Sequence, residues 1–282
     1  EKSDKSVVNI LDKSYLQRFY EDKCKEGLSE HYYKDLRSYI NRLMPLVEGE
    51  ITEDCFQKMA DTHLHWSSTT FNHFLRYAAL IEKGLTKYGY TGNWNKRTKK
   101  RKQTEVLHKR IMDCPYRLSR LSEYNKHLHL CALLTYACLL RPHREVRELT
   151  WGDFNEDLTM ISLSGARNKS KRNRIIPVPK YVRIHLSGGE HANNIFSGVP
   201  QPYNPYYFSQ LWRRFKLAHP EIVQAGETLY SFRHAGAIAV YEKTRNIKLL
   251  QTVMGHSNMA VSLTYLRGLE VQQLSVDDMP TL

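Results

Sequence analysis

Near the end of the chain, the stretch MGHSNMAVSLTY (residues 254–265) sets His256 nine residues before Tyr265. Tyrosine is common here, 18 in 282 residues, so a tyrosine alone says nothing about chemistry. A phenol has an ordinary pKa near 10 and is almost wholly protonated at neutral pH. To act as a nucleophile it must lose that proton during attack. Were the target a phosphodiester, the non-bridging oxygens would repel the incoming phenolate, and fixed cations would have to hold them. Arginine suits that task because its planar fork pairs with two oxygens at once. The leaving oxygen would also need a proton donor.

Residues of these types stand at junctions along the chain. LLRPHREVRELTWGDF holds Arg141 just after an apolar run, and LYSFRHAGA holds Arg233 at the start of a helical pattern, where backbone N–H groups favour anions. RNKSKRNRIIPV holds Lys169 in a polar loop, and MGHS holds His256 at another helix junction. Taken singly, each has an ordinary reading: a solvated charge for the arginines and the lysine, a cap or turn for a histidine after glycine. Their order along the chain makes them a set.

The elements that must position them can be read from periodicity. Residues 1–95 read as helical: SEHYYKDLRSYINRLMPLV and WSSTTFNHFLRYAALIEKGL both space apolar residues by three and four. Residues 96–105 read as a basic linker, with Lys96, Arg97, Lys99, Lys100, Arg101 and Lys102 in a run of seven positions. Such a run is either a solvated connection or a segment that lies across phosphates. Residues 106–282 form the second unit. LSEYNKHLHLCALLTYACLL reads as a largely buried helix; LTMISL and RIIPVP read as a β-hairpin around the basic loop SGARNKSKRN, with Pro177 and Pro179 placing the second strand near an edge. Three further helical patterns follow, the last ending at Gly255, where a left-handed cap is expected. The fold class is therefore mainly α with a small antiparallel sheet, in two domains and without an internal repeat.

Composition narrows the classes. Lys and Arg total 42 against 29 Asp and Glu, a net charge of +13, which makes a polyanion a natural partner. No run of about 18 apolar residues suggests a membrane span. The five cysteines are odd in number and lack CxxC spacing, which argues against a disulfide scaffold or zinc ribbon. No carboxylate cluster suggests a metal site, and no cofactor is expected. The sequence opens on EKSDKSVVNI, without an apolar signal core or an initial methionine, so it is expected to begin inside a longer protein.

The ordered set of motifs resembles the catalytic domain of the tyrosine recombinases, the phage integrase family. The likeness is carried by Arg141 in LLR followed by E…L.W.D, Lys169 five residues before Arg174 and eight before Pro177, Arg233-His234 opening an Ala-rich helix, and GHS with Tyr265 nine residues after His256. It runs from about Leu139 to Tyr265, and the helical first unit is similar to that family's SAM-like core-binding domain. The resemblance implies a site-specific recombinase of integrase or invertase type, in which Tyr265 attacks a DNA strand and leaves a 3′-phosphotyrosine and a free 5′-hydroxyl. Arg141 and Arg233 would clamp the phosphate, Lys169 would protonate the leaving 5′-oxygen, and His256 would hydrogen-bond the phosphate or assist proton transfer. The hairpin's Arg167, Lys171 and Arg172 and the linker cluster would touch DNA.

The implied partner is double-stranded DNA at attachment or inversion sites, bound by a homotetramer that exchanges C-terminal tails (here Leu266, Leu269, Val271, Leu274 and Val276), with DNA-bending accessory proteins and no membrane. The implied location is the cytoplasm, at the bacterial nucleoid. Two departures from the family pattern stand out. Arg141 lies four residues before Glu145 where the family usually has three, so either the loop holds an extra residue or Arg144 is the clamp; Arg141 is favoured because LLR directly follows the buried helix. The family's H-x-x-R has Tyr230 in the histidine position, which leaves a hydroxyl that can donate but cannot act as a base near pH 7. His234 fits a structural place in the same pattern. Two other readings stand beside the recombinase: a DNA-binding protein of the same fold that has lost turnover, and a nicking-closing enzyme of type IB topoisomerase kind.

Overall fold

The computed structural model describes residues 10–102, 111, 113–165 and 173–266. Its chain divides into two compact units, Glu1–Glu105 and Val106–Leu282. The first unit contains α1 (Ser14–Cys24), α2 (Glu30–Leu43), α3 (Glu53–Thr62), α4 (Ser68–Leu85) and the short α5 (Trp94–Arg97). Side-chain caps start two of them: Ser29 accepts from the Tyr32 amide and Ser67 from the Thr70 amide, which satisfies donors a helix start leaves orphaned. The apolar stripes meet in one core, with Phe19, Leu36, Phe56, Phe74 and Ile81 all at most 1% exposed.

The buried carboxylate of Glu82 closes this unit. It accepts from the Trp94 amide at 2.9 Å, the Asn95 amide at 3.0 Å and the Tyr90 hydroxyl at 3.2 Å. An acidic group at the N-terminus of α5 meets the positive end of that turn. Burial, with Glu82 beside it, pushes the Tyr90 phenol far above its ordinary range.

The second unit contains α6 (Cys114–Tyr124), α7 (Lys126–Ala137), a π-helical turn (Pro142–Val146), β1 (Met160–Leu163), β2 (Arg174–Pro177), α8 (Lys180–Arg183), α9 (Tyr207–Ala218), α10 (Leu229–Thr244), α11 (Ile247–Met254) and α12 (Met259–Leu266). The strands pair antiparallel, Ile161 opposite Ile176 and Met160 opposite Pro177. The sheet of the described residues is thus a two-stranded hairpin, and just past its last pair, on the loop side, the Gly165 amide donates to Asn173 Oδ1 at 2.8 Å.

Helices α7 and α10 form the centre. Gly236 lets them approach closely, since a Cβ there would collide with the Tyr136 carbonyl oxygen. After α7 the chain turns at Leu139, a fully buried residue held at φ +51°. A leucine in the left-handed region costs backbone energy, and it is held there by packing with Ala237, Leu250 and Met254. That small cluster is the floor on which Tyr265 rests.

Candidate active site

The site is built around the C-terminus of α11. The last carbonyls of a helix have no intrahelical donors and carry partial negative charge. Here the Met254 carbonyl accepts from Arg174 Nη1 at 2.7 Å and from Arg233 Nη2 at 2.9 Å. One helix end thus braces two guanidinium groups. Gly255, at φ +66°, ends α11 in the left-handed conformation and lies under the Arg174 side chain, where any Cβ would collide. The next residue is His256.

Glu145 ties a third arginine to this pair. Its carboxylate accepts from Arg174 Nη2 at 2.7 Å, from the Arg141 backbone amide at 2.9 Å and from Arg141 Nη1. Burial would raise the Glu145 carboxyl, but Arg174, Arg141 and Arg233 outweigh it and hold the group below its ordinary range. Three guanidiniums against one carboxylate leave a surplus of two positive charges in a buried pocket. Arg233 is 0% exposed, and its Nε and Nη1 have no hydrogen-bond partner among the described residues. Burial lowers its pKa to about 10, which still leaves it cationic at neutral pH. A buried cation with uncommitted donors is costly unless an anion joins it.

The remaining groups gather around this pocket. Burial first, then the fields of Arg233, Arg141 and Arg174, press the His256 pKa down to about 4, so its ring is neutral at pH 7. Its Nδ1 lies 2.9 Å from the hydroxyl of the fully buried Ser262. The Tyr265 ring centroid is 5.3 Å from that of His256 and 5.5 Å from that of His234. Tyr230, in the first turn of α10, is 39% exposed; burial raises its pKa while Arg141 and Arg233 oppose that rise.

A family model for the phage integrases matches residues 102–272, more than half of the chain. The chain belongs to the phage integrase family. Among solved structures it is similar to a lambda integrase dimer bound to a COC′ core site, at 18% identity and a TM-score of 0.75, covering 93% of this chain and 98% of that one. It is also similar to the Tn1549 transposon integrase in complex with a circular intermediate DNA, at 16% identity and a TM-score of 0.63, covering 89% and 94%. A lambda integrase tetramer bound to a Holliday junction matches at 18% identity and a TM-score of 0.70, covering 87% and 77%. At such identities the likeness is one of fold. No curated protein matches the chain.

In this integrase-family chain, Arg141, Tyr230, Arg233, His256 and Tyr265 all fall in one neighbourhood. Arg144 does not share it: its side chain is 58% exposed and pairs at 3.8 Å with Glu148. Lys169, Arg167, Lys171 and Arg172 lie outside the described residues, as does the tail beyond Leu266. In the basic run, Lys96, Lys99, Lys100 and Lys102 are exposed. Arg97 pairs with Glu53 at 2.9 Å, while Arg101 stacks 3.9 Å over the Phe71 ring and donates to the Trp66 carbonyl at 2.7 Å. Arg101 is thus docked on the helical unit, while Arg97 keeps a surface ion pair, and the segment is more than a solvated connection.

Glu145 and Arg174 are the site members that sequence reasoning misses. In the sequence both serve as spacing marks only, and the signal for them lies in their fixed offsets from Arg141 and Lys169. Among the described residues no group of three or more His, Cys, Asp or Glu is placed to hold a metal ion, and no helix is long and apolar enough to cross a membrane.

Proposed function

We propose that the chain is a site-specific DNA recombinase that cleaves and rejoins strands through a 3′-phosphotyrosine on Tyr265. The observation that carries this reading is the fully buried Arg233, braced through one nitrogen with two others uncommitted, beside Arg141 and close to a tyrosine. Such a pocket suits a phosphodiester whose oxygens gain charge in the transition state. The Tyr265 oxygen forms a bond to phosphorus as the phenol gives up its proton to solvent water, and the bond to the 5′-oxygen breaks. Lys169 protonates that oxygen. With a pKa near 4, His256 is a weak base at neutral pH, so it serves as a hydrogen-bonding partner of the phosphate, with Ser262 fixing its ring. The Tyr230 hydroxyl donates from the rim. The covalent ester conserves the energy of the broken bond, so rejoining needs no nucleotide.

Double-stranded DNA is the proposed substrate and a homotetramer the proposed working state, in line with the core-site and Holliday-junction complexes of lambda integrase. The exposed lysines of the basic run, together with Arg167, Lys171 and Arg172, hold the DNA backbone.

The test begins with a library of nicked duplexes of randomised core sequence. Covalently captured duplexes are recovered and sequenced, and two copies of the recovered site are then offered on one plasmid. Covalent capture followed by strand exchange between the two sites is expected. Binding without capture would make the chain a DNA-binding relative without turnover. Capture with relaxation of supercoils but no exchange would make it a nicking-closing enzyme.

A further inference from the structure

The two departures of this chain from its family's pattern meet in space. The extra residue between Arg141 and Glu145 is absorbed by the π-helical turn Pro142–Val146, closed by the Val146 amide donating to the Arg141 carbonyl at 3.0 Å. Single π-turns occur often at functional sites. This one carries His143. Its ring centroid lies 5.7 Å from that of Tyr230, the other departure, with the planes inclined by 51°. That separation is within the range aromatic pairs favour.

His143 is held on both sides. Arg147 Nε donates to its carbonyl at 3.0 Å, and Arg147 Nη1 donates to the Tyr203 carbonyl at 2.6 Å, so the backbone of the turn is pinned. Ser209, on α9, sets its hydroxyl 3.4 Å from Nδ1. Tyr230 is held far less. It is 39% exposed, and its ring is tilted against that of His143. A phenol on the first turn of a helix, open on one side, has rotamer freedom that must be lost before it can donate to a fixed phosphate. Burial lowers the His143 pKa, which favours the neutral ring.

We infer that His143 is a positioning residue for the cleavage step: its ring holds the Tyr230 phenol in the orientation from which the hydroxyl donates to the scissile phosphate. This inference rests on the recombinase reading above.

The experiment measures the rate of covalent capture on the recovered nicked duplex, with melting temperature and DNA affinity, for the full chain and for H143A, H143F, Y230F and the H143A/Y230F double variant. A lost neutral hydrogen bond slows the step roughly fivefold, and that sets the scale for Y230F and for H143A alike. The double variant should be no slower than Y230F alone, because His143 acts only through Tyr230. H143F, which keeps a flat ring against the phenol, should recover most of the rate lost in H143A. A purely structural role would shift melting without this dependence on Tyr230. The inference is overturned if H143A captures DNA as fast as the wild-type chain, if the two effects multiply to roughly 25-fold, or if H143F is as slow as H143A at an equal melting temperature. If the wild-type chain captures no DNA at all, the recombinase reading itself falls and the inference falls with it.

Discussion

Two regions of this chain concentrate positive charge, and they do so in opposite ways. Around Met254, three arginines are gathered, each tied to Glu145, to the helix end, or to both. Between Lys96 and Lys102, six basic residues lie in seven positions; the four lysines and Arg97 are exposed, Arg97 in an ion pair with Glu53, and Arg101 is docked on Phe71. Exposed ammonium groups are hydrated, mobile and screened by salt, so they can supply affinity without geometry. Buried guanidiniums with fixed partners supply geometry, and their charge acts at full strength where water is excluded. The contrast separates chemistry from attachment within one basic protein.

That contrast can be broken at its strongest point first. Glu145→Gln keeps the shape of the side chain and removes the carboxylate that faces both Arg141 and Arg174. Breaking a buried pair by neutralising one partner costs about 3–5 kcal/mol. A clear fall in melting temperature or denaturation midpoint is therefore expected, and unchanged stability would show that the bridge does not brace the pocket.

The next largest effect concerns Arg233. Arg233→Ala should reduce cleavage on the order of 10²–10³-fold while DNA binding persists, as for loss of one preorganised oxyanion partner. Arg141→Ala should act in the same direction. Arg144→Ala should leave cleavage nearly unchanged, because Arg144 is turned to solvent beside Glu148. A damaging Arg144→Ala with a near-neutral Arg141→Ala would reverse the assignment of the clamp.

The basic run should respond to salt instead. Replacing Lys96, Lys99, Lys100 and Lys102 by Gln should flatten the slope of log K against log salt by about 0.9 for each phosphate that is no longer neutralised. Specific and random duplexes should weaken about equally, since lysines on the phosphate backbone position the protein and do not specify sequence. An unchanged slope would remove these lysines from the DNA interface.

The smallest effect sits at the rim of the pocket. Tyr230→Phe should slow cleavage by about 1 kcal/mol, roughly fivefold, if its hydroxyl donates to the phosphate. A silent Phe variant, measured beside an unchanged melting temperature, would return Tyr230 to the status of a packed ring.

Much of this was legible in the sequence. Helices such as α2 and α4 announce themselves by apolar spacing and by Ser29 and Ser67 at their starts, because local caps and stripes are written in consecutive residues. Gly255 was legible as a left-handed cap for the same reason. The gathering of Arg141, Arg233, His256 and Tyr265 was legible only through the order of motifs, since no local rule brings residue 141 to residue 256. What stayed hidden was the bracing. The Met254 carbonyl is a backbone atom with no side-chain signature, yet it holds two arginines. Glu145 was visible as a spacing mark, while its bridge to Arg174, 29 residues on, is a tertiary fact. The π-turn was visible as one residue too many, but its consequence for His143 depends on where α9 and α10 lie. The basic run reads as a linker by composition, and only the stacking on Phe71 and the ion pair to Glu53 show that Arg101 and Arg97 are tied to the helical unit.

The central claim is that Tyr265 becomes covalently joined to DNA. The most direct measurement traps the adduct on the recovered nicked duplex, digests the protein and maps the nucleotide-bearing peptide by mass spectrometry, for the wild-type chain and for Tyr265→Phe. Phe keeps the ring on the floor formed by Leu139, Ala237, Leu250 and Met254 and deletes only the hydroxyl. The account predicts a single modified tyrosine, Tyr265, at the 3′ end of the cleaved strand, and no adduct from the Phe variant although it binds the duplex as tightly. An adduct that persists in Tyr265→Phe, or that maps to Tyr230 or any other tyrosine, would contradict it.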